Sequence, residues 1–417
     1  MGFIFIFKNM KICSIYYLVI SVFAFLFISG CADREDLRLY RPEIEAPHEV
    51  EIVPEDETLV LSDLVDGYEL IEPQGMLLSR IGEVFVYDST WIVSGKSIEN
   101  SFVNQFKKNG AFVRSILKVG KGPNEATSLF SIKMSGDDLY FLVDAGVKII
   151  RYSMKERKFV ESFMMPDEIS AISDFAVLGN GKYILYKEHP QIQGDEYKLY
   201  VYDRAKDQIE QRWIPMQKQA WADYLWFGQT NSLYQLDDKF YFHEVFQRGI
   251  WEVNENGLKG YVSFKDNSYT MPDDGVYNSY PTLTEFLDYC KSSPYIWAHR
   301  SIYEGEHFIL SSFMYNNTYH WNVIDKREWT SHSYTKIKDN VLLDTEMSLA
   351  DYLYQESVQG DVRYFRLSYD LLQRVMEQKK ANGELDAYAR KHPDVMELYK
   401  TMNEDSNDLI VVFHEKQ

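Results

Sequence analysis

The chain has 417 residues with 63 acidic and 44 basic side chains, a formal net charge of −19 and an aromatic content of 15%. So acidic a surface argues against nucleic acid as a partner, because phosphate binding needs clustered Lys and Arg, and it is a poor match to an anionic membrane surface. The chain is long enough to bury a large core as one big domain or two ordinary ones.

Lys8 and Lys11 are the only charges ahead of a nearly all-apolar run from Ile15 to Ile28, the pattern of a charged n-region followed by the h-region of an export signal. The run is shorter than the roughly 20 residues needed to cross hydrocarbon, which argues against a transmembrane anchor. It ends in Ile28-Ser29-Gly30-Cys31, which resembles the lipobox of bacterial prolipoproteins: an aliphatic residue, two small residues for the peptidase, then the cysteine to be acylated. The resemblance implies a signal peptide over residues 1–30, lipid on Cys31, and attachment to the membrane through that lipid. Met10-Lys11-Ile12-Cys13 opens a second, more conventional signal within the first. Once Cys13 is removed and Cys31 acylated, only Cys290 is left in the folded part. No internal disulfide can then form, and the core alone must hold the fold in an oxidising compartment.

From Ala32 to Glu57, prolines 42, 47 and 54 are scattered among Asp and Glu with no sustained apolar period, so residues 31–57 read as an acidic tether. Within it, Ala32-Asp33-Arg34-Glu35-Asp36 looks like the signal that sends some Bacteroidota lipoproteins to the outer face of the outer membrane, and a solvated linker accounts for it equally well. The expected location is the cell envelope, as an outer-membrane lipoprotein.

Residues 58–417 read as β structure, because short aromatic and β-branched runs alternate with Gly, Asn and Asp clusters. The runs are Gly82 to Asp88, Asp138 to Asp144, Lys182 to Lys187, Lys239 to His243 and His307 to Phe313. Each is followed by a second strand, a polar turn and a third strand. The apolar residues just before those turns are Phe106, Tyr152, Tyr202, Val253 and Ile324, at intervals of 46, 50, 51 and 71 residues. The first three intervals fit a four-stranded propeller blade; the fourth must hold an insertion. Thr282 and Glu285 form a capping-box pattern there, and Leu283, Phe286, Leu287 and Cys290 recur at helical spacing. A short amphipathic helix is predicted, with Cys290 on its buried face. Strands at Asp361 to Leu367 and Asp408 to His414, joined by one at Thr58 to Leu61, would complete a sixth blade from both chain ends. Helices are predicted at Tyr369 to Ala381, stopped by Gly383, and at Pro393 to Met402. The fold class is therefore all-β: a six-bladed β-propeller with short helical insertions, closed by N- and C-terminal strands.

The loop Val119-Gly120-Lys121-Gly122-Pro123-Asn124-Glu125 resembles the Gly-x-Gly-Pro-Gly-Glu segment of the six-bladed TolB-like or NHL-like propeller lipoproteins common in Bacteroidota. Phe106 with the Asn109-Gly110 turn, the strand Leu139 to Asp144, and the tail Asn407 to Val412 match that family's order of elements. Two departures are visible: Asn124 stands in place of a glycine, and no aspartate follows Phe106. Physically the loop is a turn, in which glycine allows close backbone approach, proline presets φ and asparagine tolerates the left-handed region. Glu125 can accept backbone N–H groups within it or bind a ligand. A phosphate cradle is disfavoured, because no Lys-Ser/Thr pair and no helix onset follow.

No Gly-x-Ser-x-Gly elbow, His-Glu-x-x-His helix or paired-cysteine metal site is present, so no catalytic, metal or cofactor motif is legible. His243 and Glu244 end a strand and should point to opposite faces, which argues against a shared metal. The pairs Asp137-Asp138, Asp237-Asp238 and Asp273-Asp274 fit turn chemistry better than calcium binding. The segment Trp213 to Tyr234 gathers Trp213, Trp221, Tyr224, Trp226, Phe227 and Tyr234 among Gln, Asn and Gly. Rings flanked by amides suit stacking on a sugar or peptide, with Trp221, Tyr224 and Trp226 as the candidates; packing between blades is the plainer explanation. Two functions remain. One is a non-catalytic propeller binding a glycan, a peptide or an envelope protein; the other is a propeller hydrolase or lyase acting on polysaccharide, whose carboxylates would come from distant strands.

The lipobox resemblance makes one direct prediction. Mass spectrometry of the mature amino terminus should find an acylated Cys31, and a Cys31→Ala chain should leave the membrane fraction. A soluble native protein that begins elsewhere would contradict it.

Overall fold

Both faces of the strand Asp138–Val143 are buried. Leu139, Phe141 and Val143 pack into one apolar cluster while Tyr140 and Leu142 pack into another, as the two-residue period of a strand requires. Sheets covered on both faces by neighbouring sheets are the unit of a propeller, and the computed structural model repeats that unit around a ring. It describes residues 45–416 except 79–80, 96–100, 167, 170, 189–196, 216–231, 246, 273–279, 281, 349–355 and 360–361. Residues 1–44, which include the signal and Cys31, therefore lie outside the described residues.

The described strands form six sheets. Sheet I runs Val84–Tyr87, Thr90–Ser94, Ser101–Lys107 and Phe112–Val119, with Glu125–Ala126 added in parallel at its edge. Sheet II is Leu129–Ser135, Asp138–Val143, Lys148–Ser153 and Lys158–Met164, and sheet III is Asp174–Gly179, Lys182–Tyr186, Tyr197–Asp203 and Gln208–Pro215. Sheet IV is Leu233–Leu236, Lys239–Phe242, Gly249–Asn254 and Gly257–Phe264; sheet V is Trp297–Glu304, Phe308–Tyr315, Thr318–Asp325 and Thr330–Asp339, with Thr345–Ser348 beside the last. Sheet VI joins Glu356–Gln359 and Val362–Leu367 to Leu409–Glu415, and pairs the last of these with Val65–Ile71. The fold is mostly β, at 53% strand and 13% helix, as the sequence predicts, and it is a propeller-like ring in which five blades are recognised.

Apolar clusters join the sheets two by two. Phe85 and Ile92 of sheet I meet Ile132 and Phe141 of sheet II; Leu142 and Ile149 of II meet Phe175 and Leu185 of III; Ile184 and Leu199 of III meet Phe242 and Trp251 of IV. Tyr241 and Ile250 of IV pack on Ile309 and Phe313 of V, and Leu310 and Trp321 of V on Phe365 and Val411 of VI. Ile71, Tyr364 and Ile410 of VI pack on Val84, Trp91 and Phe106 of I.

Four of the five predicted strand runs begin the second hairpin of a sheet, but Gly82 to Asp88 holds the first strand of sheet I, so the reading slips one strand there. The marker residues keep their phase: Phe106, Tyr152, Tyr202, Val253 and Ile324 all close third strands and all are buried. Gly110 in the first of these turns has φ of +82°, and a Cβ there would overlap the backbone of Glu72, so only glycine fits.

The N-terminal end differs most from expectation. Glu57–Val60 does not enter sheet VI; it lies parallel along Thr330–Asp339 at the outer edge of sheet V, and Leu59 is buried against that sheet. The strand that does close sheet VI is Val65–Ile71, whose Asp66, Gly67 and Glu69 dilute the apolar alternation. The tether reading of residues 31–57 also extends too far. His48–Val50 is a parallel strand on the edge of sheet IV, with Val50 and Ile52 in its core and His48 stacked on Trp329 at 3.5 Å. Edge strands and core contacts, not solvation, account for this stretch.

The insertion before sheet V contains helix α1 (Leu283–Ser292), where the Thr282 hydroxyl accepts the Glu285 N–H at 3.3 Å. Phe286 and Cys290 are buried with Met271 and Trp297, and burial pushes the Cys290 thiol up to about 12. Helix α2 (Tyr369–Asn382) starts on a Ser368 cap and ends at Gly383 with φ of 74°, and helix α4 (Pro393–Thr401) opens on its proline. Between them helix α3 (Leu385–Lys391), which lacks a side-chain cap, escapes the sequence reading. Leu372, Val375, Tyr388 and Val395 seat these helices on the core shared by sheets V and VI.

Ile410 is fully buried between Ile71, Tyr364 and the wall of sheet I. Ile410→Ala should therefore lower unfolding free energy by about 2–4 kcal/mol, read as a shifted midpoint in urea. Removing residues 409–417 should abolish cooperative unfolding altogether, because it strips the strand that joins both chain ends; an unchanged melting transition would contradict the closure.

Candidate functional site

The two ends of the ring are built differently. In sheets I to V, tight turns join the first strand to the second and the third to the fourth: Asp88-Ser89, Asn180-Gly181 and Asp237-Asp238 are examples, with positive φ at both residues of the first two and at Asp237. Asn and Asp tolerate that conformation, and glycine adopts it freely. Antiparallel order puts the second-to-third connections and the passages between sheets at the opposite end. The longest connections are among these: the passage from sheet IV to sheet V includes α1, and the second-to-third connection of sheet VI includes α2, α3 and α4, whereas in sheet V the tight turn Asn316-Asn317 joins the second strand to the third. Loops that vary over a constant scaffold are where binding residues collect.

Buried polar side chains gather at this end of sheets III and IV. Tyr186 closes the second strand of sheet III, Lys198 opens its third, and Glu244 follows the second strand of sheet IV. One oxygen of Glu244 accepts from the Tyr186 hydroxyl at 2.9 Å and from the Lys198 ammonium at 2.6 Å, while Lys198 also donates to the Glu188 carbonyl at 2.7 Å. Lys198 thus links the Glu244 carboxylate to the Glu188 main chain. Burial, with a further push from the Glu244 charge and partial relief from Lys198, raises the Glu188 carboxyl to about 7. Burial and then Glu244 also lift the Tyr186 hydroxyl well above its ordinary value.

His243 turns away from Glu244, as strand alternation requires. Its ring nitrogens lie 2.8 Å from the Gly249 carbonyl and 3.2 Å from the His299 carbonyl, and burial lowers its pKa. The pair therefore addresses different surroundings and does not converge on a metal.

Deeper in the ring, the first strands of sheets II, III and IV are tied by Asp174. It accepts from Ser131 at 2.7 Å, pairs with Lys133 at 2.9 Å, and accepts the Leu233 N–H at 3.3 Å; Lys133 also donates to the Leu233 carbonyl at 3.0 Å. A buried acid with these partners fixes the inner strands relative to one another. Among the described residues, no group of three His, Cys, Asp or Glu side chains is placed to hold a metal ion.

Glu125 lies in the passage from sheet I to sheet II and serves its own turn: its carboxylate accepts the Gly122 N–H at 3.0 Å and its carbonyl accepts from Lys148 at 3.3 Å. A Cβ on Gly120 would overlap that carboxylate, which explains the glycine. Asn124 is not among the residues with positive φ, contrary to the turn geometry expected from sequence. Trp221, Tyr224 and Trp226 lie outside the described residues, as does Asp273-Asp274. The flanking aromatics that are described pack between sheets: Trp213 against the core of III and IV, and Tyr234 stacked on Tyr241 at 5.3 Å with its hydroxyl donating to Glu304 at 3.0 Å. Asp138 is taken by Arg151 at 2.9 Å and Asp137 accepts from Tyr87 at 3.1 Å, so that pair does turn and strand work.

The family described as "Domain of unknown function (DUF4934)" matches residues 48–414, from the first edge strand to the closing strand. The chain belongs to this family. Among solved structures, a Bacteroides fragilis protein described as exported superposes with a TM-score of 0.65 at 17% identity, over 88% of this chain and 99% of its own. That likeness shows the DUF4934 chain to share its fold. U3-55K (TM-score 0.37, 10% identity, 72% of each chain) is more distant. So is the extracellular domain of a one-component system from Bacteroides thetaiotaomicron (TM-score 0.33, 10% identity, 68% of this chain and 32% of that one). No curated protein matches the sequence.

Sequence reading missed Glu188, Lys198 and Asp174, because their partners come from other strands or sheets and form no local motif. The one available signal was Glu244 beside His243 at a strand end. A carboxyl whose pKa is raised by folding stabilises the fold fully below its unfolded value near 4.5 and loses that contribution as pH rises toward 7. Glu188→Gln should therefore flatten stability across that window, making the variant more stable than the parent at pH 8 relative to pH 4 by on the order of 2 kcal/mol. Paired urea titrations at the two pH values check this.

Proposed function

We propose that this DUF4934 protein is an exported, envelope-anchored lipoprotein whose propeller binds a ligand at its long-loop end without transforming it. The ligand would be a glycan, a peptide or an envelope protein. The observation that carries the reading is the Tyr186–Glu244–Lys198 cluster: it sits at the end of the ring from which the long connections leave, and it is polar, buried and held by three elements. A pre-formed polar floor beneath variable loops is a binding arrangement that many propellers use. Trp221, Tyr224 and Trp226, between Pro215 and Ser232, are the proposed stacking residues.

The proposal extends to the architecture. A six-bladed ring of the TolB-like or NHL-like kind is supported by the cluster between sheet VI and sheet I, which would make the sheet built from both chain ends the sixth blade. Export is supported by the amino-terminal signal and by the likeness to a protein described as exported. The lipobox at Cys31 supports an outer-membrane lipoprotein, with the acid-rich residues after it favouring the outer leaflet.

One observation favours the alternative of a polysaccharide hydrolase or lyase. Glu188, whose carboxyl burial raises to about 7, lies beside Glu244, which is paired with Lys198 at 2.6 Å, and two carboxyls in unlike surroundings are what acid-base cleavage of a glycosidic bond requires. Glycan and peptide arrays run beside a hydrolysis and elimination screen on the same polysaccharides separate the two. Binding without turnover, weakened at least tenfold by Glu244→Gln, is the expected outcome. Turnover that disappears in both Glu188→Gln and Glu244→Gln would replace the binding reading with the enzymatic one.

A further inference from the structure

A pocket with room of about 70 Å³ lies between sheets IV and V and the N-terminal edge strand. Ile52, Phe264 and Met271 supply apolar wall, Arg248 lies at its side, and Trp297 and His299 from the first strand of sheet V line it. No carboxylate lines it among the described residues. The Arg248 charge is already met: Nη1 donates to both oxygens of Asp266 at 2.6 and 2.7 Å, and Nη2 to the Met271 carbonyl at 2.9 Å.

Two side chains in this pocket have hydrogen-bonding capacity that the protein does not use. His299 is 5% exposed and Trp297 is 7% exposed, yet both imidazole nitrogens of His299 and the indole N–H of Trp297 have no partner among the described residues. Buried polar groups are paired in the great majority of cases, so an orphaned donor and an orphaned imidazole in one cavity point to a ligand. The ring of His299 is fixed in place by Phe264 at 4.7 Å and by Phe313, stacked at 5.6 Å. Burial, with a smaller push from His243, holds its pKa at about 3. It is therefore neutral at physiological pH and offers one donor and one acceptor, beside the Trp297 donor.

We propose that this pocket takes an uncharged acetamido group, such as the N-acetyl substituent of an amino sugar. Its methyl meets the walls formed by Ile52, Phe264 and Met271. Its carbonyl accepts from the Trp297 indole N–H, and its amide N–H donates to the unprotonated imidazole nitrogen. A carboxylate fits less well, because it carries no donor for the imidazole nitrogen and would bring a charge beside a neutral imidazole, while of the two lining cations Arg248 is already paired with Asp266 and Lys265 is exposed to solvent. A bare hydroxyl leaves the apolar wall uncovered. The room suits a small substituent, not a whole sugar ring. The inference is independent of the Glu188–Glu244 reading, since it uses other residues on the far side of sheet IV.

Calorimetry and saturation-transfer NMR on the processed chain test it with three probes: N-acetylglucosamine, glucose and acetate. N-acetylglucosamine should bind, with its methyl protons most strongly saturated, and glucose and acetate should bind at least tenfold more weakly. Trp297→Phe, which keeps the ring but removes the N–H, should weaken N-acetylglucosamine about fivefold or more, while Glu188→Gln should leave it unchanged. Equal binding of glucose or acetate, no binding of N-acetylglucosamine, or an unaltered affinity in folded Trp297→Phe would each overturn the proposal. Should that variant not fold, the melting temperature of the unaltered protein decides: it should rise with N-acetylglucosamine and not with glucose, and any other pattern overturns it.

Discussion

The pairing of Leu409–Glu415 with Val65–Ile71 is the contact on which the rest of the ring depends. It is antiparallel and runs from Ile410 opposite Ile71 to Glu415 opposite Val65, joining the two ends of the folded chain in one sheet. Successive residues of the C-terminal strand then face different neighbours: Ile410 meets sheet I, while Leu409, Val411 and Phe413 meet sheet V. Without this strand, sheets I and V would each expose an apolar face. A closed ring also keeps its inner edges short and protected from templating aggregation. With no disulfide among the described residues, where Cys290 is buried in the helix α1 cluster as a free thiol, closure is the constraint that substitutes for covalent staples.

The outer edges are managed by the same N-terminal segment. After His48–Val50 covers sheet IV and Glu57–Val60 covers sheet V, a short turn at Leu61–Asp63 redirects the chain into sheet VI. Side chains reinforce the path: Ser333 donates to the Val53 carbonyl at 2.7 Å and Asn340 to the Ser62 hydroxyl at 2.8 Å. A stretch rich in acid and proline is thereby made part of the fold by backbone pairing that its composition does not advertise. Pro47 and Pro54 fall beside the two strands and not in them, where no ladder hydrogen bond is needed.

Polar burial separates structural from functional ground. Glu304 is surrounded by Tyr234, Tyr261 and Lys326 at 3.0, 2.6 and 2.8 Å, and Asp174 is likewise saturated, so both act as bolts between sheets. A third group at the V–VI edge links Tyr68, His392 and Asp344 at 3.0 and 3.3 Å and holds the C-terminal helices to the sheets. The surroundings of Glu188 and of His299 differ from these. There burial shifts the protonation equilibrium, and at His299 the ring nitrogens have no partner among the described residues. Saturated networks specify a fold; incompletely used ones are where chemistry or ligands enter.

Local chemistry is what the sequence determined by itself. Strand alternation, turn residues such as Asn109-Gly110, the Thr282 and Ser368 caps, the Gly383 stop and the blade-length spacing of Phe106, Tyr152 and Tyr202 all act within a few residues of one another, and the structure follows them. The Gly120-to-Glu125 turn was legible as a turn, though its cause proved to be the Glu125 carboxylate and not a left-handed Asn124. Tertiary structure alone decided which weak strand would close the ring, because Val65–Ile71 and Glu57–Val60 carry similar local signals and differ only in the cores offered to them. It alone brought Glu188 to Glu244 and enclosed Trp297 and His299, neighbours on one strand, in a cavity with Ile52, Phe264 and Met271, since the groups that bury them come from segments far apart in the chain, and burial is a property of the assembled ring.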